Sequence, residues 1–358
     1  MFVEKQRISG SHSFNKGGNW NKWLPLILIV FLSTGCELNK SERSVVIYTS
    51  LDQIFSEPIL RNFEKKTGIR VLPVFDIEAN KTVGLANRLI AEKSRPQADV
   101  FWNSEFGQTI RLKEEGVFAP YVSSNAEDIP SQYRDPQDYW IGFGARARII
   151  LVNTRKLSPD QYPTSVFDLL NPKYPSDKVA MAYPIFGTTL TQAAAMYAAL
   201  GEDSARNFYK GIKGRGIRIV DGNSVVRDLV ASGRLHAGLT DTDDACGAIK
   251  KGAPVKVIFP DQDGIGTLII PNTVAMIAGA THPREAEELI DYLLSEEVEQ
   301  KLIKAGAIQM SLYREGITSG CIPEENVKNM QVSYSDILHN IEIVGKELRY
   351  IFIRYCLI

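Results

Sequence analysis

The sequence predicts an α/β protein folded as two lobes. Three observations carry that expectation. Short apolar runs alternate with helical stretches along most of the chain, the pattern of a mostly parallel sheet with right-handed crossovers. At 358 residues the chain exceeds one ordinary hydrophobic core and suits two domains. Two extended stretches, near 141–153 and 266–278, are spaced to run between the halves as shared crossing strands. The composition, 44% apolar, 23% charged and 9% aromatic, is that of a soluble globular protein.

The bulk numbers also exclude classes. A formal charge of -1 gives no basis for nucleic-acid binding, which needs a clustered basic excess. The four histidines (His12, His236, His282, His339) are too scattered for a His-rich metal site or a Cys/His nucleophile pair. The cysteines Cys36, Cys246, Cys321 and Cys356 show no CxxC spacing, so zinc ribbons and thioredoxin-type chemistry are unsupported. Neither a P-loop, a G-x-S-x-G elbow nor an HExxH motif is present.

Lys5, Arg7, Lys16 and Lys22 precede an apolar run over 24–32, which Ser33, Thr34, Gly35 and Cys36 close. A basic region, a short apolar core and small residues are the marks of an export signal. The run is shorter than the roughly 20 residues of a spanning helix. The Gly-Cys ending resembles a bacterial lipoprotein signal, which implies lipidation at Cys36. The alternative is an uncleaved anchor. Both place the body outside the cytoplasm and tethered to a membrane.

Taken in order, 45–49 is a continuous apolar strand, and the polar loop Ser50-Leu51-Asp52 follows it. Ile59, Leu60 and Phe63 form the stripe of a helix stopped by Gly68. A strand over 69–75 and a helix opening at Asn80 precede a third strand over 98–102. Asn103-Ser104-Glu105 then forms a loop at the same sheet edge as residues 50–52, before a helix ending at Glu115. Residues 121–140 read as irregular. A strand over 149–153 emerges from the glycine-containing stretch 142–146, whose spacing imitates a dinucleotide fingerprint but lacks the helix that motif needs. A short helix over 165–170 and a strand over 179–182 come next. Gly187-Thr188-Thr189 then opens a helix running to 200, with backbone N–H groups and hydroxyls able to cradle an anion or simply to cap.

A similar junction follows the strand 217–220, where Asn223 precedes a helix over 225–231. The strand 235–239 holds His236, expected to be a core residue, and delivers the densest acidic stretch. There Asp241, Thr242, Asp243 and Asp244 stand between small apolar residues and a helix expected from Ala245. Ligands of open α/β sheets sit at such strand ends. Carboxylates this close repel one another and gain from a cation or ligand amine. Capping accounts for one or two of the acids, not for all of them. Strands over 255–259, 267–270 and 274–277, with 271–273 interrupting, precede helices over 283–294 and 297–305. A packing helix over 334–352 closes the chain; its charged residues argue against a membrane span.

Several stretches resemble the ferric-ion-type solute-binding proteins of ABC importers. They are Val46-Ile47-Tyr48-Thr49-Ser50, Ala98-Asp99-Val100-Phe101-Trp102 with Glu105, Gly222-Asn223-Ser224 with the helix to Gly233, and Pro271-Asn272-Thr273-Val274-Ala275. The similarity spans about 45–312. It implies a type II periplasmic-binding-protein fold whose lobes close by hinge motion. The implied layout is a signal peptide over 1–36, a tether over 37–43, lobe 1 from 44–140 and 270–312, and lobe 2 from 141–269. A C-terminal segment over 313–358 is expected to pack on lobe 2. The resemblance places Glu105 near the family's carboxylate iron ligand, and Gly187, Thr188, Thr189 and Asn223 at its anion-holding helix start. The family's paired tyrosines are replaced here by Thr242-Asp243, and Asp52 lies near the place of a histidine.

Hard cations prefer oxygen donors, which Asp52, Glu105, Asp241, Asp243 and Asp244 offer. The expected cargo is a metal ion such as Fe(III) with an accompanying anion, delivered to an ABC permease by a monomeric binding protein. A two-ended organic solute, such as an aminophosphonate, sugar phosphate or polyamine, would use the same residues. A metal-dependent phosphoryl-transfer enzyme with Asp243 as nucleophile is the alternative of a different class, and a sensory or adhesive lipoprotein a third.

Overall fold

In a computed structural model the described residues are 43–76, 83–313, 319–322 and 327–353. The export segment with Cys36, the helix start at Asn80 and Cys356 lie outside them.

The first half is built on β1 (Ser44–Thr49), α1 (Gln53–Thr67), β2 (Arg70–Phe75), α2 (Val83–Ala91), β3 (Val100–Asn103), α3 (Gly107–Glu114) and β4 (Phe118–Ala119). Strand β1 pairs in parallel with both β2 and β3. Val45 and Ile47 are fully buried, as a strand covered on both faces requires. Ile59, Leu60 and Phe63 of α1 cover one face of it, and Gly68 ends the helix in the left-handed region at φ 72°.

The 13-residue β5 (Ile141–Asn153) ties the halves together. Its residues 141–147 pair with β10 (Ile269–Ile277), and its residues 148–153 pair with β8 (Ala237–Asp241) and β9 (Val255–Ile258). The strand order is β2-β1-β3-β10-β5-β8-β6-β7, with β4 on β10 and β9 on β5 off this path, and with β6 (Val179–Ala182) and β7 (Arg218–Val220) parallel on the far side. Helices α4 (Gly187–Leu200), α5 (Glu202–Arg215), α6 (Asn223–Ala231) and α7 (Thr242–Lys250) belong to this second half. Helices α8 (Pro283–Leu293) and α9 (Glu296–Ala305) return to the first half against β10, β1 and α1. Finally α10 (Tyr334–Ile353) packs on α4, α5 and α3. No helix among the described residues is long and apolar enough to cross a membrane.

Strand β5 fills the whole of 141–153, the span expected of a crossing strand, and not only 149–153, because Gly144, at φ 53°, lets the chain continue where a side chain would run into Ile308. Other sequence expectations change. Residues 271–273 do not interrupt β10; they form a bulge between Pro271 and Asn272. Helix α7 starts at Thr242, three residues before Ala245, with no turn after β8. Helix α5 went unread: its stripe of Ala205, Phe208, Tyr209 and Ile212 is buried on α4, and its charged face masks the period. His236, moreover, is only half-buried and precedes β8.

Candidate functional site

The site grows out of alternation in β5. Arg146 and Arg148 are two residues apart, so both side chains leave the same face of the strand. Arg148 pairs in register with Asp241 at the end of β8. Its guanidinium is fully buried, and its Nη1 donates to Asp241 Oδ1 at 2.7 Å and Asn223 Oδ1 at 3.1 Å. Its Nε donates to Gln192 Oε1 at 2.9 Å. The second carboxylate oxygen of Asp241 accepts from Thr188 Oγ1 at 2.7 Å and Asn223 Nδ2 at 3.0 Å. Thr189 Oγ1 donates to Asn223 Oδ1 at 3.4 Å. Gly187, at φ 56°, begins α4 exposed, with open space around its α-carbon. The starts of α4, α6 and α7 therefore meet around one buried ion pair. Each start carries unsatisfied N–H groups and partial positive charge.

Every acid of the 241–244 stretch has an arginine. Arg146 Nη1 donates to Asp243 Oδ2 at 3.1 Å, and Arg227 Nη1 to Asp244 Oδ1 at 3.1 Å. Thr240 Oγ1 also donates to Asp244, at 3.2 Å. Oxygens of the three aspartates lie within 4.8 Å of one another. Burial, with Asp243 and Asp241 adding repulsion, pushes the Asp244 carboxyl up to about 7. Arg146 remains charged, because its neighbouring acids outweigh its desolvation. Thr242 turns inward instead. Its hydroxyl accepts from Ala147 N at 3.1 Å and donates to Gln309 Oε1 at 3.0 Å, so it is fully buried structure.

The first half presents a second polar wall. Ser50 Oγ donates to Asn103 Oδ1 at 2.6 Å and accepts from Ser104 N at 2.9 Å, which fuses the two loops. Glu105 is buried and accepts from Gly107 N at 2.6 Å and Gln108 N at 3.0 Å, as the cap of α3. Burial raises its pKa, while those N–H groups and Arg146 oppose the rise. Arg146 bridges the walls, its Nη2 donating to the Ser104 carbonyl at 3.0 Å while Nη1 holds Asp243.

The expected residues thus form two linked groups. Ser50, Asn103, Ser104 and Glu105 reach Asp243 through Arg146. Thr188, Asn223 and Asp241 bond Arg148 directly and Thr189 reaches it through Asn223, while Gly187 stands exposed at the start of the same helix as the threonines. Asp52 is exposed and is the N-cap residue of α1. What sequence reasoning missed is Arg227 and Gln192. Arg146 and Arg148 form ion pairs with Asp243 and Asp241; their Arg-x-Arg spacing on a strand, opposite an acidic strand end, is the signal the sequence offers for them. Among the described residues, three buried polar atoms of this region have no hydrogen-bond partner: Arg146 Nε, Arg148 Nη2 and Asp243 Oδ1. Donors and an acceptor without partners, on side chains of the same ion-paired cluster, suit a ligand carrying both negative and positive character.

This architecture, two α/β lobes joined by crossing strands with polar loops between them, is the type II periplasmic-binding-protein fold. Residues 95–329 match the family of bacterial extracellular solute-binding proteins, and the chain belongs to that family. It is 27% identical to iron uptake protein A1 of Synechocystis over 267 residues, 71% of this chain and 72% of that one. It is 22% identical to the Fe(3+)-binding periplasmic protein of Serratia marcescens, covering 82% of this chain and 86% of the relative. Among solved structures, a ferric binding protein from Campylobacter jejuni superposes with a TM-score of 0.77 at 23% identity, covering 86% of this chain and 99% of that one. A Trichodesmium protein in complex with iron and citrate superposes at 0.76 and 22% identity, with 86% and 99% covered.

Proposed function

We propose that this solute-binding protein carries Fe(III) together with an accompanying anion, and hands it to an ABC importer from a lipid-anchored position at Cys36. In this reading the anion supplies most of the metal's donors. Asp243 Oδ1 adds a protein oxygen, and the helix starts at Gly187–Thr189 and Asn223 hold the anion with the arginines behind them. The observation that carries it is that Arg146 Nε, Arg148 Nη2 and Asp243 Oδ1 have no hydrogen-bond partner among the described residues, in one cluster of ion pairs. The names of the relatives support the same cargo. A bare trivalent ion held by all three aspartates fits less well, because each carboxylate already has an arginine counter-charge.

A second reading has a specific observation behind it. No tyrosine stands at 242–243, where the resemblance expects phenolate ligands, and Thr242 is buried and hydrogen-bonded. An anionic organic solute, such as a phosphorylated or phosphonylated amine, would satisfy the same orphan atoms without iron.

Native mass spectrometry with elemental analysis of the protein as purified, followed by titration with ferric citrate and with inorganic phosphate, separates the readings. Ferric citrate binding with one iron per monomer, and without the intense visible band of a phenolate site, is the expected result. Tight binding of a phosphate ester with no iron uptake would transfer the assignment to the organic solute. Turnover of such an ester with magnesium would replace transport by catalysis.

A further inference from the structure

We infer that α10 is a latch across the cleft, holding the two lobes together by contacts that do not involve cargo. The inference rests on the two-lobed clamp, not on the identity of what it carries. The family match ends at residue 329, and α10 lies beyond it.

The C-terminal half of α10 is rooted in lobe 2. Val344, Leu348 and Phe352 are buried in the cluster that holds Tyr197, Phe208, Tyr209 and Ile212 of α4 and α5. Glu347 adds a hydrogen bond from Tyr197 Oη at 3.0 Å and an ion pair with Arg206. Gly345 is buried against Leu190 of α4, whose Cδ1 lies 3.7 Å from where a β-carbon would stand.

The N-terminal half reaches the other lobe. The Tyr334 ring packs on Phe106, which precedes α3, at 4.3 Å between centroids, and on Trp140 at 5.5 Å. Ile337 is fully buried in the cluster containing Phe106 and Ile110 of lobe 1 and Ala194 and Ala195 of α4. The tightest point is Gly107, the first residue of α3. A β-carbon there would lie 3.2 Å from Ile341 Cδ1, 3.6 Å from Thr191 Oγ1 of α4 and 2.9 Å from Glu105 Oε2. Lobe 1, lobe 2 and the latch therefore meet at one glycine, directly beside the buried carboxylate of the candidate site. Arg111 of α3 adds attraction, helping Lys346 hold the Glu342 carboxylate below its ordinary range.

A hinge motion about β5 and β10 separates α3 from α4, and one rigid helix cannot follow both. The lobe 2 half has the deeper burial and the ion pair, so the α3 contact is the one that parts. The energy of that contact biases the cargo-free protein toward closure and slows release once cargo is bound.

Pulsed electron paramagnetic resonance with spin labels on exposed Glu114 (α3) and Asp203 (α5), in the cargo-free protein, tests this directly. Ile341→Ala is expected to raise the open-to-closed ratio roughly tenfold, and Gly107→Ala to act in the same direction by displacing Ile341. Ile341→Val is expected to restore most of the closed population. Ile343→Ala, on the exposed side of the same helix, is expected to leave it unchanged. Distance distributions identical in wild type and folded Ile341→Ala would overturn the latch. Because no cargo is present, failure of the transport reading would show separately, as the absence of any solute that shifts the wild-type distances.

Discussion

At the scale of residues, the acidic stretch divides by burial. Asp241 and Arg148 are a buried pair, with side-chain exposures of 4% and 0%. Removing one partner leaves an uncompensated charge, so Asp241→Ala should lower stability by about 3–5 kcal/mol, read as a large fall in melting temperature without any ligand. Asp243, one-third exposed, should tolerate Asn with little loss of stability while forfeiting the stabilisation by cargo. Equal melting temperatures for the two variants would contradict this division. Asp244 carries a pH signature. Its carboxyl rises from 3.8 to about 7 on folding, so its contribution is fully present below 3.8 and lost as pH rises through about 7. The cargo-free protein should therefore melt lower at pH 8 than at pH 5. Asp244→Asn should flatten that slope, which differential scanning calorimetry across the interval would check.

At the scale of elements, α7 is the piece most firmly held. Cys246 on α7 forms a disulfide with Cys321, closing a sequence separation of 75 residues. Thr242 is bound to Gln309, whose backbone N–H also donates to Ala145 of β5 at 2.9 Å. The site helix is thus fastened to the strand that crosses between lobes. Cys246→Ser with Cys321→Ser should cost on the order of 2–5 kcal/mol of folding stability, measurable by urea unfolding against the oxidised wild type. Elements whose pattern is strong were legible in the sequence: β1, α1, β2, α8 and α9 fall where periodicity and stop signals put them. Those that blurred had competing signals. The glycines of β5 resembled a loop, the proline before the β10 bulge resembled a break, and three polar residues hid the first turn of α7.

At the scale of the whole molecule, closing on cargo is a linkage effect. A solute at a hundredfold excess over its dissociation constant should raise stability by about 2.7 kcal/mol. Thermal shift with ferric citrate is the direct check, and a saturating solute that leaves the melting curve in place would not be the cargo. In the proposed reading the closure is a rotation about the shared strands β5 and β10, with Arg146 bonded to both Ser104 and Asp243.

The sequence by itself determined the α/β alternation and, through its resemblance to solute-binding proteins, the family, because hydrophobic period and motif residues are local properties that survive without coordinates. It brought Asp241, Asp243 and Asp244 forward as bare acids. Only the tertiary structure decided that each faces an arginine, since Arg146, Arg148 and Arg227 arrive from other elements through strand register and helix packing. A charge's meaning depends on what is within a few ångströms of it, and that distance belongs to the fold rather than to the order of residues.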